Sequence, residues 1–173
     1  MSKGLPKKAL LKHLAQSEKE DIIKEVLTLF DKFNNVKEYY TAELTDDANP
    51  MLERYKKKIT LAYSSGNPKE RRTNMNVNRL LKEFKKISIY ERETADLMLY
   101  RVECGVAAFR RNNNRSPTFY SCIATTFEDA LKIISIDNSI DEFRKRINKI
   151  LKDSKPGKCG FSERLKNILN VLL

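Results

Sequence analysis

Helix-start signals recur along this chain. Residues 17–20 (Ser-Glu-Lys-Glu) and 139–142 (Ser-Ile-Asp-Glu) have the spacing of capping boxes. In a capping box the serine oxygen accepts a backbone N–H bond and the glutamate reaches back to the cap. Asn49-Pro50 and Ser116-Pro117 place a capping residue before a proline at the first helical position, where the missing N–H breaks no helical bond. Four helix starts are therefore predicted from local signals alone.

Apolar residues between these signals follow the three-and-four spacing of amphipathic helices. Five glycines and five prolines in 173 residues are too few for a turn-rich β fold. We predict one all-α domain over residues 1–173, with eight or nine helices packed as irregular antiparallel hairpins around a buried central helix. The clearest predicted loop is 64–73. The predicted helical segments are 5–16, 17–33, 36–44, 50–63, 75–87, 93–111, 117–135, 140–153 and 161–172.

The central helix of this prediction is the segment 93–111. It has almost no polar face, and a helix that is apolar all round is normally surrounded by other helices. Gly105 in its interior costs about 1 kcal/mol relative to alanine. A close crossing by a neighbouring helix would explain why a glycine stands there.

The composition excludes several classes of protein. No window holds 18 consecutive apolar residues, so no membrane span is expected. The basic start is too polar for a signal peptide. The three cysteines, Cys104, Cys122 and Cys159, are odd in number and widely spaced, which favours free thiols over a disulfide scaffold. We therefore expect a cytoplasmic protein.

Motifs for catalysis and cofactor binding are absent from the sequence. It contains no nucleophile elbow, phosphate-binding loop or zinc-protease motif. His13 is the only histidine, so the thiols and one imidazole make a poor zinc site. Lys155 and Lys158 could activate Cys159, but no histidine is near in sequence to serve as its base. We expect no cofactor and no metal.

One polar face interrupts the central helix. Asp96, Tyr100 and Glu103 fall at i, i+4 and i+7 and so share a side, with Arg92 and Arg110 at its two ends. Two carboxylates there could hold a metal or act as an acid and a base. The favoured interpretation is structural, because residues seven apart lie about 10 Å apart along the axis. We call these three residues the polar seam and expect arginines to pair with it.

Positive charge is concentrated in the middle of the chain. Residues 49–92 contain 12 Lys and Arg against 4 Asp and Glu, within a total of +11. Cations gathered on one surface would bind a polyanion such as nucleic acid, because such binding releases counterions. A solvated basic face explains the same composition. The candidate polyanion-binding residues are Lys56, Lys57, Arg71, Arg72, Arg79, Lys82 and Lys86.

Five stretches of the sequence are informative together, namely 17–23 (SEKEDII), 77–86 (VNRLLKEFKK), 95–106 (ADLMLYRVECGV), 119–120 (FY) and 127–131 (FEDAL). They resemble a family of small, functionally uncharacterised bacterial helical proteins. The resemblance implies an all-α fold over nearly the whole chain. It implies no activity, cofactor or catalytic residue.

The leading functional hypothesis is a non-catalytic interaction module that binds another protein through a helical surface. The alternative is a nucleic-acid-associated protein that uses the basic stretch 54–92. A second alternative is an enzyme that uses Asp96 and Glu103. Membrane association is not expected, and assembly into a homo-oligomer is left open.

Overall fold

The computed structural model describes residues 6–44, 50–64, 70–88, 90–111 and 115–172. All regular structure in these ranges is helical, so the prediction of an all-α fold is confirmed. No helix within them is long and apolar enough to cross a bilayer. The helices are α1 (Lys7–Gln16), α2 (Lys19–Lys32), α3 (Asn34–Leu44), α4 (Pro50–Ser64), α5 (Glu70–Ile87), α6 (Glu91–Arg111), α7 (Pro117–Ile136), α8 (Ile140–Asp153) and α9 (Phe161–Leu172).

Helix α7 begins at the Ser116-Pro117 pair, as the sequence predicts. Ser116 is the N-cap with an extended backbone (φ −69°, ψ 153°), and Pro117 occupies the first turn. The backbone N–H of Phe119 donates to Ser116 Oγ at 3.2 Å. This arrangement satisfies one of the free donors at the helix start, as the Ser-Pro pair predicts.

The two predicted capping boxes are wrong. Ser17 Oγ donates to the carbonyl oxygen of His13 at 2.9 Å, and the N-cap of α2 is Glu18. Ser139 is the N-cap of α8, but its ψ of 18° is not extended and its side chain makes no capping bond. An N-cap serine whose oxygen accepts from the helix amides typically has an extended backbone. Asn49, the remaining predicted cap, lies outside the described residues.

Helix α5 begins at Glu70, within the segment that was predicted to be a loop up to residue 73. Thr73 and Asn74 are buried, so tertiary packing extends the helix through polar residues that have no apolar periodicity. Glu70 also accepts hydrogen bonds from the backbone N–H and the hydroxyl of Ser116, at 3.1 and 2.6 Å. Residues 65–69 of the predicted loop lie outside the described ranges.

The chain divides into two compact units, Met1–Asp46 and Asp47–Leu173. In the first unit α2 packs against α3, with the rings of Phe30 and Tyr40 6.4 Å apart. His13 of α1 lies 3.8 Å from Glu25 of α2. Neither α1 nor α2 contains a buried residue. The single domain over residues 1–173 stays a prediction.

Helix α6 is the centre of the second unit. It contacts α4, α5, α7 and α8. One apolar cluster joins α6 to α7, α8 and α9, and includes the packed rings of Phe109, Tyr120 and Phe161. A second cluster joins α4 and α5 to α6 through Leu97, which is fully buried. The predicted central, buried helix is therefore confirmed.

Gly105 lies where α6 crosses α7. A Cβ atom at position 105 would overlap Cδ1 of Ile123 and lie 3.0 Å from its Cγ1. Ile123 is fully buried and has little room to move. The close helix crossing that the sequence predicts at this glycine is confirmed.

We expect Gly105→Ala to lower the free energy of unfolding by about 1 kcal/mol. Overpacking lowers the free energy of unfolding by about 1–3 kcal/mol, and the better helix propensity of alanine raises it by about 1 kcal/mol. Ile123→Val alone should cost about 1 kcal/mol. Urea unfolding of both variants and the double variant should show that the double variant is more stable than the sum predicts. Additive losses of stability would contradict a close contact between positions 105 and 123. Ala107→Gly, at an exposed position of α6, is the control, and its effect should add to that of Ile123→Val.

Candidate functional site

The carboxylates of the polar seam meet at one arginine from α8. Arg146 Nη1 donates to Asp96 Oδ1 at 2.6 Å. Its Nε and Nη2 donate to the two oxygens of Glu103 at 2.9 and 3.1 Å. All three side chains are about three-quarters buried. Bidentate pairs of this kind are among the stronger charged contacts in proteins, so Arg146 fixes α8 against α6.

Helix α4 joins the same polar seam. Lys56 Nζ lies 3.2 Å from Asp96 Oδ2 and 3.0 Å from Glu53 Oε1. The hydroxyls of Tyr100 and Thr60 share a hydrogen bond of 2.7 Å. The arginines that flank the seam in sequence pair elsewhere, Arg92 with Glu142 and Arg110 with Asp153. The arginine that binds the seam comes instead from a different helix.

This arrangement leaves the two carboxylates little freedom for acid–base chemistry. Burial alone lowers the pKa of Arg146, but its hydrogen bonds to Glu103 and Asp96 outweigh burial and raise that pKa above the ordinary value. The guanidinium is therefore charged under all ordinary conditions, and both carboxylates are engaged with it. Among the described residues, no three His, Cys, Asp or Glu side chains come together as a metal site would need.

Two of the thiols, Cys104 and Cys159, lie in different surroundings. Burial raises the pKa of Cys104 to about 11, and the charge of Glu103 adds to the rise, so this thiol is protonated at neutral pH. Cys159 is exposed, with a left-handed backbone (φ 58°). Because the thiolate is the reactive form, Cys104 is a poor nucleophile.

The candidate polyanion-binding residues lie in several different surroundings. Lys56 is engaged in the polar seam. Arg79 lines a groove between α4 and α5, where Asn76 and Glu83 are its neighbours. Lys82 lines another cleft, between α5, α6 and α7. Arg79 and Lys82 are exposed, and so are the remaining four residues, which line neither of these two clefts: Lys57, Arg71, Arg72 and Lys86.

The cleft between α5, α6 and α7 has a volume of about 290 Å³. We call it the Arg101 cleft after the residue that lines it from α6. Helix α5 contributes two lysines and an asparagine, and α7 contributes hydroxyl groups and one carboxylate. Leu81 and Met98 add apolar surface. The polar residues that line the cleft are Asn78, Lys82, Lys85, Arg101, Ser121, Thr125, Thr126 and Asp129.

Arg101 is only 2% exposed, yet it makes no ion pair within the described part of the chain. Its Nη1 donates to Asn78 Oδ1 at 2.7 Å and to Thr126 Oγ1 at 2.6 Å, and both acceptors are neutral. Its Nε and Nη2 are buried without a hydrogen-bond partner among those residues. Buried charged groups normally have an oppositely charged partner, and Arg101 has none among those residues.

The nearby Tyr63 does not supply that compensation. Burial raises the pKa of the Tyr63 hydroxyl, and Arg101 opposes the rise only in part, first through its positive charge and second as a nearby hydrogen-bond donor. The phenol is therefore neutral at physiological pH. The positive charge of Arg101 remains unbalanced at the base of the cleft.

Sequence reasoning did not find Arg101 or Arg146. Arg101 could have been noticed, because it is a charged residue on a helix that was otherwise treated as apolar and stands one turn before Gly105. Arg146 had no comparable signal. It is one of several basic residues on an amphipathic helix whose outer face is charged.

Comparison with known proteins identifies the family of this chain. A family model described as a family of unknown function (DUF6155) matches residues 5–170. The chain belongs to this family. The resemblance to functionally uncharacterised helical proteins is thereby confirmed, and DUF6155 brings no activity with it. No curated protein and no solved structure matches the chain.

We expect Arg146→Met to lower the free energy of unfolding by about 1–3 kcal/mol. The change leaves two partly buried carboxylates without their guanidinium, and the partial exposure keeps the loss below that of a fully buried pair. Arg144→Met is the matched control on the same helix. Arg144 pairs with Asp141 on the surface, so its loss should cost less than about 0.5 kcal/mol.

Urea unfolding monitored by far-UV circular dichroism measures both losses. Adding Glu103→Leu to Arg146→Met should recover part of the stability, because it removes a stranded carboxylate and adds apolar surface. Equal losses in the two single arginine variants would show that the seam is no stronger than a surface pair.

Proposed function

We propose that this protein is a non-catalytic interaction protein whose first unit binds a second copy of the chain. The exposed apolar face of α2 is the observation that supports the proposal. Leu27 is 58% exposed, and Ile23 and Leu29 of the same helix are exposed as well, as is Phe33 at its C-cap. Leu10 and Leu11 of α1 and Tyr39 and Leu44 of α3 are exposed as well. Apolar side chains exposed along one helix, as on α2, are typical of interaction surfaces.

The residues of α2 follow one helical face. Ile22, Val26 and Phe30 form its centre and are half-buried within the first unit. Ile23 and Leu27 extend the face on one flank, and Leu29 extends it on the other. Phe33 follows the helix as its C-cap, with an extended backbone. The face is thus wider than its neighbours α1 and α3 cover, and its flanks remain open.

An uncovered face of this kind is unfavourable for a short helix. Isolated helices shorter than about 12–15 residues are marginal in water, and most helices in proteins are stabilised by packing of the apolar face. Helix α2 has 14 residues. Burying a leucine or phenylalanine contributes about 1.5–3 kcal/mol, so covering the flanks would stabilise the helix.

The distribution of charge favours a second copy as the occupant. Residues 1–46 contain eight Lys and eight Asp and Glu, so the remainder of the chain carries the whole formal charge of +11. Two copies of the first unit can approach each other without net repulsion, whereas two copies of the second unit repel. Pairing of the same patch on both copies gives a closed, two-fold interface.

The other candidate functions have weaker support. Nucleic-acid binding rests on the charge of the second unit, and the division of Arg79 and Lys82 between two clefts does not strengthen it. An enzyme that uses Asp96 and Glu103 is disfavoured because Arg146 engages both carboxylates. We also infer a cytoplasmic location from the three free cysteines, which are typical of reducing compartments.

We expect the full-length protein to sediment as a dimer and Leu27→Glu to sediment as a monomer. A carboxylate at the interface would be buried without a partner, which opposes association. Leu61→Glu is the matched control, because Leu61 is an exposed leucine (69%) on α4 in the second unit. This control should remain dimeric. Analytical ultracentrifugation at several concentrations measures all three.

A wild-type monomer over the whole concentration range would overturn the second copy as the occupant. Hydrogen exchange at α2 in such a monomer would then separate two outcomes. Protected amides would indicate that the same chain covers the face, and rapid exchange would indicate that the face is open in the free protein. Dimers that Leu61→Glu dissociates and Leu27→Glu leaves intact would place the interface in the second unit, contrary to the proposal.

A further inference from the structure

We propose that the Arg101 cleft binds the phosphate group of a ligand. The cleft lies wholly in the second unit and uses residues of α5, α6 and α7. It therefore does not depend on the self-association proposed for the first unit. The observation that carries the proposal is the buried, uncompensated guanidinium of Arg101 in a cleft that two lysines also line.

A buried cation normally has an anion beside it, since taking the charge out of water costs several kcal/mol. The second unit satisfies this rule at Arg146, which binds two carboxylates. It does not do so at Arg101, whose two hydrogen bonds go to the neutral oxygens of Asn78 and Thr126. An anion in the cleft would supply the missing charge.

The lining of the cleft is cationic as a whole. Among the lining residues, Lys82, Lys85 and Arg101 are positively charged and only Asp129 is negatively charged. Lys85 also lies 4.0 Å from Glu91, at the start of α6. Asp129 also acts on Lys132, whose pKa is raised by its hydrogen bond to Glu128 and, to a lesser degree, by the charge of Asp129. Among the residues that line the cleft, positive charges therefore exceed negative charges by two. A cleft with walls of low dielectric constant focuses such a field on its interior.

The mixture of donors favours phosphate over a simple halide or carboxylate. Lysines act as point charges toward phosphate oxygens, and the hydroxyls of Ser121 and Thr125 add neutral donors. Leu81 and Met98 offer an apolar surface for whatever carries the phosphate. A volume of about 290 Å³ is at the lower end for small-molecule sites, which are about 300–1,000 Å³. One phosphate group with a small body would fill it.

Two sources share this chemistry, a small phosphorylated molecule and a phosphodiester of nucleic acid. The test therefore uses three probes, which are inorganic phosphate, a nucleoside monophosphate and a short single-stranded oligonucleotide. Calorimetry with the full-length protein measures the affinity of each. Tight binding of the monophosphate identifies a small molecule as the source, and tight, salt-sensitive binding of the oligonucleotide identifies nucleic acid.

The discriminating variant is the pair Lys82→Ser and Lys85→Ser. We expect it to weaken phosphate binding at least about tenfold, because a hydrogen bond to a charged group is worth about 1.5–3 kcal/mol and 1.4 kcal/mol is tenfold. Its matched control is the pair Arg79→Ser and Lys86→Ser. This control removes two charges from the same helix outside the Arg101 cleft, and should retain the wild-type affinity.

Arg101→Met tests the residue at the base of the cleft. Replacing an uncompensated buried cation by an apolar side chain should leave the melting temperature without ligand unchanged or raise it. Thr126 keeps its own hydrogen bond to the carbonyl oxygen of Cys122 at 3.0 Å, so the change does not leave the Thr126 hydroxyl without a partner. The increase in melting temperature that phosphate gives the wild type should disappear.

Three results would overturn the proposal. The first is no binding of any probe at millimolar concentration. The second is an equal loss of affinity in the two double variants, which would assign binding to diffuse surface charge. The third is a phosphate-dependent increase in melting temperature that persists in Arg101→Met. If Arg101→Met fails to fold, the comparison of the two double variants decides the question.

Discussion

The close approach of α6 to α7 at Gly105 is the constraint on which the rest of the second unit depends. Because position 105 has no side chain, Ile123 of α7 lies directly against the backbone of α6. Arg101 stands one turn earlier on that same side of α6, and Thr126 stands one turn later than Ile123 on α7. The crossing that removes space at the glycine thus places the arginine within 2.6 Å of Thr126 and 2.7 Å of Asn78 on α5. Apolar packing and the charged cleft arise from one contact between helices.

Two arginines of the second unit show different ways of holding helices together. Arg146 ties α8 to α6 through Asp96 and Glu103, so its charge is balanced where it lies. Arg101 ties α5, α6 and α7 together through neutral oxygens, so these bonds give its positive charge no negative partner. The first arrangement is self-sufficient and accounts for the polar seam as an element of structure. The arrangement at Arg101 lowers the stability of the folded chain when nothing is bound, and unfavourable arrangements of this kind are often found at binding sites.

The sequence predicts the helices well because amphipathic spacing is a local property. It also predicts the crossing at Gly105, since a glycine inside a buried helix needs a packing reason. It fails where the outcome depends on residues distant in the chain. Arg146 lies 43 and 50 residues from the carboxylates it binds, and no pattern marks it among its basic neighbours. Ser139 has the sequence of a capping box, but its backbone is not extended and its side chain makes no capping bond. Arg101 was missed because composition made α6 look apolar, and only its burial shows that its charge matters.

The carboxylate of Glu70 serves two helices at once. It lies in the first turn of α5, and it binds Ser116, the N-cap of α7, through both the backbone amide and the hydroxyl. The start of every helix carries a partial positive charge of about half a unit from its aligned peptide dipoles. One negative side chain therefore neutralises two such dipoles, with Arg115 3.6 Å away as a third positive group. The beginnings of α5 and α7 are coupled electrostatically across 46 residues of chain, so that unwinding of one withdraws the counter-charge from the other.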